Sequence, residues 1–267
     1  MKLFYAVSLV GTLAAAPLAA QEAPHFAYSG DRGPDNWSAL SPDFATCSAG
    51  KSQSPVNISG TQDVDLPGLD IKYTSDALNF ANNGHAVQAN YAAGSTLDDQ
   101  YHAVAPNRAH VGYARGSTVG HLDSTYELKQ FHFHSPSEHQ LEGRNLPAEI
   151  HFVHADKNGH LAVVGVFVAE GAAHPTISTL WQSLPSKEGQ SNGLDEGISA
   201  LDLLPASKDY DYYQGSLTTP PCSEGVRWVV MNEPITMSGD QIAALKKAIG
   251  FDNNRPVQPL NGRAILQ

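Results

Sequence analysis

The sequence predicts an α+β fold, mainly β, built around a large and mostly antiparallel sheet. Strand patterns outnumber helix patterns, and 23 glycines and 17 prolines supply the turns that short strands require. Residues 161–169 are apolar at nearly every position, which predicts a strand buried on both faces. The predicted strands are residues 85–91, 126–134, 148–155, 161–169 and 226–231.

Two helices are predicted. Ser238 and Gln241 have the spacing of a capping box, and the apolar positions that follow recur with helical period. Gly250 is placed to end this helix, because glycine readily adopts the left-handed conformation of a C-terminal cap. Residues 175–184 predict a second, shorter helix.

Composition indicates one globular domain, which we expect from residue 24 to residue 267. The chain has 267 residues, of which 41% are hydrophobic and 16% charged, so a packed core is expected and extensive disorder is not. The formal net charge is -11, and the sequence contains no basic patch. We therefore expect no nucleic-acid partner and no binding to anionic membranes.

Residues 1–20 resemble a signal peptide. Lys2 is followed by a short apolar run, and small residues lead to Ala20, near which we expect cleavage. The alternative is a membrane anchor, for which the apolar run is too short. The prediction is export to the periplasm or secretion.

The chain has two cysteines, Cys47 and Cys222. An even pair in an exported chain favours a disulfide bond. The alternative is a pair of buried thiols.

A metal site is the main functional prediction. On a strand, residues i and i+2 share a face, so His132 and His134 project together. His151 lies on the next predicted strand, and an antiparallel return would let it supply a third ligand. Three imidazoles suit catalytic zinc, because the fourth coordination position stays open for water. The His-x-His spacing by itself also occurs in copper sites, cupin folds and surface pairs.

Two polar residues are placed to orient these histidines. Gln130 and Glu149 precede His132 and His151 by two residues each, so each shares a strand face with its histidine. Their side-chain oxygens could accept the second ring N–H, which would fix the tautomer and the ring orientation.

Several sequence segments together resemble the α-class carbonic anhydrases, of the bacterial, exported type. They occur in the same order as in that family and span nearly the whole mature chain. The matching segments are residues 33–37, 53–58, 82–87, 130–139, 148–154, 161–167, 215–222 and 255–260.

The resemblance implies a twisted sheet with short peripheral helices and a Cys47–Cys222 disulfide. It also implies a zinc enzyme that reversibly hydrates carbon dioxide to bicarbonate and a proton. In this family a zinc-bound hydroxide attacks carbon dioxide, and a histidine then carries the proton away. By resemblance, Thr218 and Glu138 orient the hydroxide, and His85 is the proton shuttle.

The resemblance further assigns the walls of the active-site cleft. By resemblance, Thr219 is a residue of the cleft wall that contacts bicarbonate, and Gln88 stands where many members have asparagine. The implied carbon dioxide wall is Val153, Val163, Leu217, Val226 and Trp228. The residues implied to line the proton path are Tyr28, Asn83 and Gln88.

Two other functions compete with this interpretation. A binding domain related to these enzymes would typically have lost zinc histidines, whereas all three match here. A metal-dependent esterase is the second, and ester hydrolysis is expected as a side activity.

Resemblance to bacterial members is compatible with a homodimer. His139 matches a structural position, and the offset of His154 from His151 points it to the opposite strand face.

Overall fold

The computed structural model describes residues 24–73, 75–91, 110–113 and 126–267. The predicted signal peptide lies outside these ranges. Within them, every helix is too short or too polar to cross a membrane.

Among the described residues, strands outnumber helices, as predicted. The helices are α1 (Trp37–Leu40), α2 (Thr46–Ala49), α3 (Pro175–Trp181) and α4 (Gly239–Ile249), with 3₁₀ turns at Gly30–Arg32, Pro34–Asn36, Pro42–Phe44 and Ala200–Leu203. The strands are β1 (Asn57–Ile58), β2 (Leu69–Lys72), β3 (Ser75–Asn82), β4 (Val87–Tyr91), β5 (His110–Tyr113), β6 (Glu127–His134), β7 (Gln140–Leu141), β8 (Ala148–Ala155), β9 (Leu161–Glu170), β10 (Ser191–Ser199), β11 (Tyr210–Ser216), β12 (Glu224–Met231) and β13 (Ile235–Met237).

One large sheet organises the molecule. Its strand order is β10-β3-β4-β6-β8-β9-β12-β11, with β13 also paired to β9. The pairs along this order are antiparallel except β9–β12, and β13 also runs parallel to β9. The long connection between β9 and β12, which contains α3 and β10, makes the parallel pair geometrically accessible. The predicted fold class is confirmed, with this mixed region added.

Strand β9 is buried on both faces, as its continuous apolar sequence predicted. Val164 and Val166 belong to the core cluster on one face of the sheet. Val163 and Phe167 belong to the cluster on the other face. The strand therefore separates two apolar layers, and the layer of Val163 adjoins the functional cleft described below.

Helix α4 begins and ends as predicted. The Ser238 side chain accepts a hydrogen bond from the backbone N–H of Gln241, and the Gln241 side chain completes the capping box. Gly250 has φ 86° and ends the helix in the left-handed conformation. Helix α3 is shorter than the predicted 175–184, because the helix ends at Trp181 and residues 182–183 form a turn.

The Cys47–Cys222 disulfide predicted from the sequence is present and buried. It ties α2 to the loop that follows β11. Gln53 donates a hydrogen bond to the carbonyl of Cys222, and Arg255 donates to the carbonyl of Cys47. The disulfide thus sits in a hydrogen-bonded cluster that joins distant parts of the chain.

Candidate metal centre

Strands β6 and β8 bring three histidines together. His132 and His134 lie two residues apart on β6, and His151 is the direct cross-strand partner of His132. One ligand atom from each residue lies within 4.8 Å of the others. His134 and His151 are each 1% exposed, so the cluster is at the inner end of its cleft. The antiparallel return expected from the sequence is what places His151 beside the pair.

The two predicted polar partners contact their histidines. Nδ1 of His132 lies 2.8 Å from Oε1 of Gln130, and Nε2 of His151 lies 2.8 Å from Oε1 of Glu149. In the neutral tautomers these ring N–H groups donate to the oxygens, which leaves Nε2 of His132 and Nδ1 of His151 with free lone pairs.

The third histidine is oriented by a backbone group that sequence analysis missed. Nδ1 of His134 lies 2.7 Å from the carbonyl oxygen of Asn253. Its other nitrogen, Nε2, is buried and has no hydrogen-bond partner among the described residues. A buried polar nitrogen without a partner is costly, and a bound cation would satisfy it. A donor set of three imidazoles fits zinc.

Burial and neighbouring charges set the protonation of the cluster. Burial lowers the pKa of His132 well below its usual value, and nearby His134 and His151 lower it further. Burial also lowers the pKa of His134, although the Glu138 carboxylate opposes the shift. For His151 burial lowers the pKa, but the adjacent Glu149 carboxylate outweighs it and the net pKa is raised. Neutral imidazoles are the ligating form, so His132 and His134 are prepared for a cation.

Glu149 is fully buried and accepts hydrogen bonds from more than one histidine. Its Oε1 also accepts from Nδ1 of His139 at 2.7 Å, and its Oε2 accepts from the backbone N–H groups of Glu138 and His139 at 2.9 Å each. Burial would raise the pKa of Glu149, but His139 and His151 lower it well below its usual value. The ionised carboxylate holds the segment after β6 against β8. His139 therefore has the structural position that was expected.

Glu138 differs from expectation in one contact. Its Oε1 accepts a hydrogen bond from the backbone N–H of Arg255 at 2.8 Å. Its Oε2 has no hydrogen-bond partner in the part of the chain that the structure describes. The expected Thr218–Glu138 hydrogen bond is therefore not formed, and Oε2 faces Nε2 of His134 at 3.5 Å instead. Thr218 itself lines the cleft.

The histidines open into a cleft of about 270 Å³ with one apolar side. Trp228 packs its ring 4.9 Å from that of His151, centroid to centroid. Of the residues expected to bind carbon dioxide, Val226 belongs to the core cluster and not to the lining. The lining residues on this side are Val153, Val163, Leu217 and Trp228, with Thr218 and Thr219 beside them.

The other side of the cleft carries the predicted proton-path residues. Asn83 donates to Gln88 at 3.3 Å, and Gln88 donates in turn to Asn90 at 2.6 Å. Burial, with a contribution from Glu138, raises the pKa of Tyr28 well above its usual value, so its hydroxyl stays neutral. His85 lines the same side.

Sequence analysis missed Phe26 as a cleft residue. Its ring lines the cleft and stacks on His85. Phe26 is a single aromatic residue that precedes the first predicted strand and belongs to no repeating pattern. Its place in the cleft is therefore visible only in the tertiary structure. His154 was placed on the opposite strand face, and there it contacts the Tyr73 hydroxyl at 2.9 Å.

The sequence of this chain is similar to those of known proteins. A family model described as "Eukaryotic-type carbonic anhydrase" matches residues 32–267. The chain is 39% identical over 248 residues to a carbonic anhydrase of Pectobacterium carotovorum, covering 92% of each chain. It is 39% identical over 243 residues to a carbonic anhydrase of Neisseria gonorrhoeae, covering 91% of this chain and 88% of that one.

A solved structure is also similar. It is the α-carbonic anhydrase of Thermovibrio ammonificans in complex with the inhibitor sulfanilamide, with a TM-score of 0.81 and 41% identity. The match covers 91% of this chain and 99% of that one.

Proposed function

The chain belongs to the eukaryotic-type carbonic anhydrase family and is an enzyme that hydrates carbon dioxide, and we propose that it does so with zinc held by His132, His134 and His151. The observation that carries the zinc proposal is the arrangement of ring nitrogens. Each ring has one nitrogen within hydrogen-bond distance of an oxygen of the protein, and one potential ligand atom of each residue lies within 4.8 Å of the other two. When bound, zinc supplies the Lewis acidity that makes a nucleophile from water near neutral pH.

The protein's contribution is to hold these ligands rigidly. Gln130, Glu149 and the Asn253 carbonyl fix the tautomer of each histidine, which prevents the rings from rotating away from the ion. Because the partners are buried or part of strands, the ligands are positioned before a cation binds. Such preorganisation favours zinc over cations that require more ligands.

Carbon dioxide is small and nonpolar, so it requires an apolar surface near the reacting water. Val163, Leu217 and Trp228 supply such a surface beside His151. We propose that Thr218 donates to the free Oε2 of Glu138 during turnover and thereby orients the attacking oxygen. Two features support this: Oε2 has no competing partner among the described residues, and Thr218 lines the same cleft.

Hydration releases a proton, which must leave the cleft in each cycle. His85 lines the polar side of the cleft and is a side chain of the type that titrates near neutral pH. We propose that it carries the proton outward along the side lined by Tyr28, Asn83 and Gln88. The hydrogen bond between Asn83 and Gln88 would order water on this path.

Stopped-flow measurement of carbon dioxide hydration, together with zinc analysis of the purified protein, tests the proposal. We expect about one zinc per chain, and inhibition by sulfanilamide. His132→Ala should lose zinc and activity together, whereas His160→Ala, which removes an exposed imidazole that does not line the cleft, should retain both. Full activity after exhaustive metal removal would overturn the zinc proposal.

We also propose ester hydrolysis as a side activity, because an activated water in an open cleft can attack an activated ester. Hydrolysis of 4-nitrophenyl acetate should fall in parallel with hydration in His132→Ala. An ester rate that survives the loss of zinc would contradict this assignment.

Export is proposed from the predicted signal peptide and is supported by the Cys47–Cys222 disulfide, since disulfides persist in oxidising compartments. Cell fractionation and N-terminal sequencing of the mature protein test it. Retention in the cytoplasm with residues 1–20 intact would contradict it. The homodimer stays a prediction, which size-exclusion chromatography with light scattering would check.

A further inference from the structure

A second histidine lies beside the proposed proton shuttle at the mouth of the cleft. The rings of His25 and His85 have centroids 5.0 Å apart and an interplanar angle of 43°. His25 is exposed, whereas His85 lines the cleft. The two imidazoles thus form a step from the cleft interior to solvent, over a distance that one bridging water can span.

The segment that carries His25 also fixes the His85 ring. Phe26 stacks on His85 with centroids 3.9 Å apart and an interplanar angle of 7°, and it packs edge-on against Trp37 at 5.4 Å. The carbonyl of His25 accepts a hydrogen bond from Arg32 at 2.9 Å. These contacts hold the backbone of His25 in place, so its position beside His85 is built into the fold.

The surroundings of His85 act on its pKa in opposite directions, with a net lowering. Burial lowers the pKa of His85, and His25 lowers it further, whereas Glu188 raises it. Glu188 is exposed, and its Oε1 lies 2.6 Å from the point where a Cβ on Gly84 would stand. His85 therefore has the exposed imidazole of His25 beside its ring, and the exposed carboxylate of Glu188 lies close to the preceding residue.

We infer that His25 is a second proton relay, which accepts the proton from His85 and passes it to water or buffer. The transfer is balanced: one ring nitrogen of His85 loses a proton, one of His25 gains it, and solvent removes it. This inference rests on the proposed role of His85. A relay in series should limit turnover only when external buffer is too weak to take the proton directly from His85.

The test is stopped-flow hydration by the zinc-loaded mature enzyme over a series of buffer concentrations. We expect His25→Ala to lower kcat about threefold in weak buffer, a small part of the 10²–10⁴ that acid–base groups contribute, and to leave kcat/KM unchanged. Strong imidazole buffer should restore kcat. In a His85→Ala background the His25 substitution should have no further effect.

Two controls make the result decisive. His25→Lys places a positive charge near His85 but cannot relay near neutral pH, so it should resemble His25→Ala. Wild-type turnover in this variant would show that a positive charge at this position is sufficient, and it would overturn the relay. Unchanged kcat for His25→Ala in weak buffer would also overturn it, provided that His85→Ala is slowed. If His85→Ala is not slowed, the shuttle proposal itself fails.

Discussion

Oε1 of Glu149 lies 2.8 Å from Nε2 of His151, which leaves Nδ1 of that ring to bind a cation. The same carboxylate accepts hydrogen bonds from the backbone of Glu138 and from His139. One buried group therefore fixes both a metal ligand and the segment that carries Glu138.

Glu149→Gln should weaken zinc binding about 10- to 100-fold, the usual cost of losing a partner behind a ligand. The amide cannot accept all the hydrogen bonds that the carboxylate accepts, and its NH₂ group would face N–H donors. Competition with a chelator measures the affinity. Glu127→Gln, an exposed carboxylate on β6, is the matched control and should bind zinc normally. Equal affinities in the two variants would contradict the role of Glu149.

His85→Ala should slow hydration in weak buffer by about 10-fold or more, since general acid–base groups contribute 10²–10⁴ and water can replace part of this. Added imidazole should restore the rate, because it supplies the missing proton carrier from solution. The value of kcat/KM should stay near that of the wild type. A rate that does not respond to buffer concentration would exclude His85 as the shuttle.

Replacement of Cys47 and Cys222 by serine should lower the free energy of unfolding by roughly 2–5 kcal/mol, because the crosslink closes a long loop in the unfolded chain. The two residues are separated by 175 positions. Denaturant unfolding with and without reductant measures the effect. Reductant should destabilise the wild type and leave the double variant unchanged; equal behaviour of both would show that the disulfide contributes nothing.

Asp211→Asn should stabilise the protein at pH 8 and not at pH 4. Asp211 is 6% exposed, its Oδ1 has no partner among the described residues, and burial raises its pKa from 3.8 to about 6. The fold thus favours the protonated form, and stability is lost as the pH rises from about 4 through about 6.

The expected gain for Asp211→Asn is at most about 3 kcal/mol, from 1.36 kcal/mol per pKa unit. Thermal unfolding at the two pH values measures it. Asp202→Asn, an exposed acid in a 3₁₀ turn, should show no such difference. An unchanged midpoint for Asp211→Asn at pH 8 would mean that the native carboxylate is already stabilised.

Local pattern predicted the parts of the site that lie on neighbouring strands. The two-residue period of β6 and the return through β8 were sufficient to bring His132, His134 and His151 together. The partners Gln130 and Glu149 followed from the same period. These inferences worked because strand geometry fixes which side chains share a face.

The remaining contacts come from far along the chain or from the backbone. The carbonyl of Asn253 accepts a hydrogen bond from His134, which lies 119 positions earlier in the chain. The backbone N–H of Arg255 donates a hydrogen bond to Glu138, which lies 117 positions earlier. A backbone group is present at every residue, so its use carries no sequence signal. The parallel β9–β12 pair was likewise not visible, because pairing partners depend on long-range topology.

The Asn253 and Arg255 contacts also determine when the site can form. Asn253 and Arg255 are synthesised more than a hundred residues after His134 and Glu138, the two side chains that they help to fix. A nascent chain that extends only as far as β8 has the three histidines without the groups that lock His134 and Glu138. The centre can therefore mature only after the segment that contains Asn253 and Arg255 has been synthesised and has docked on β6.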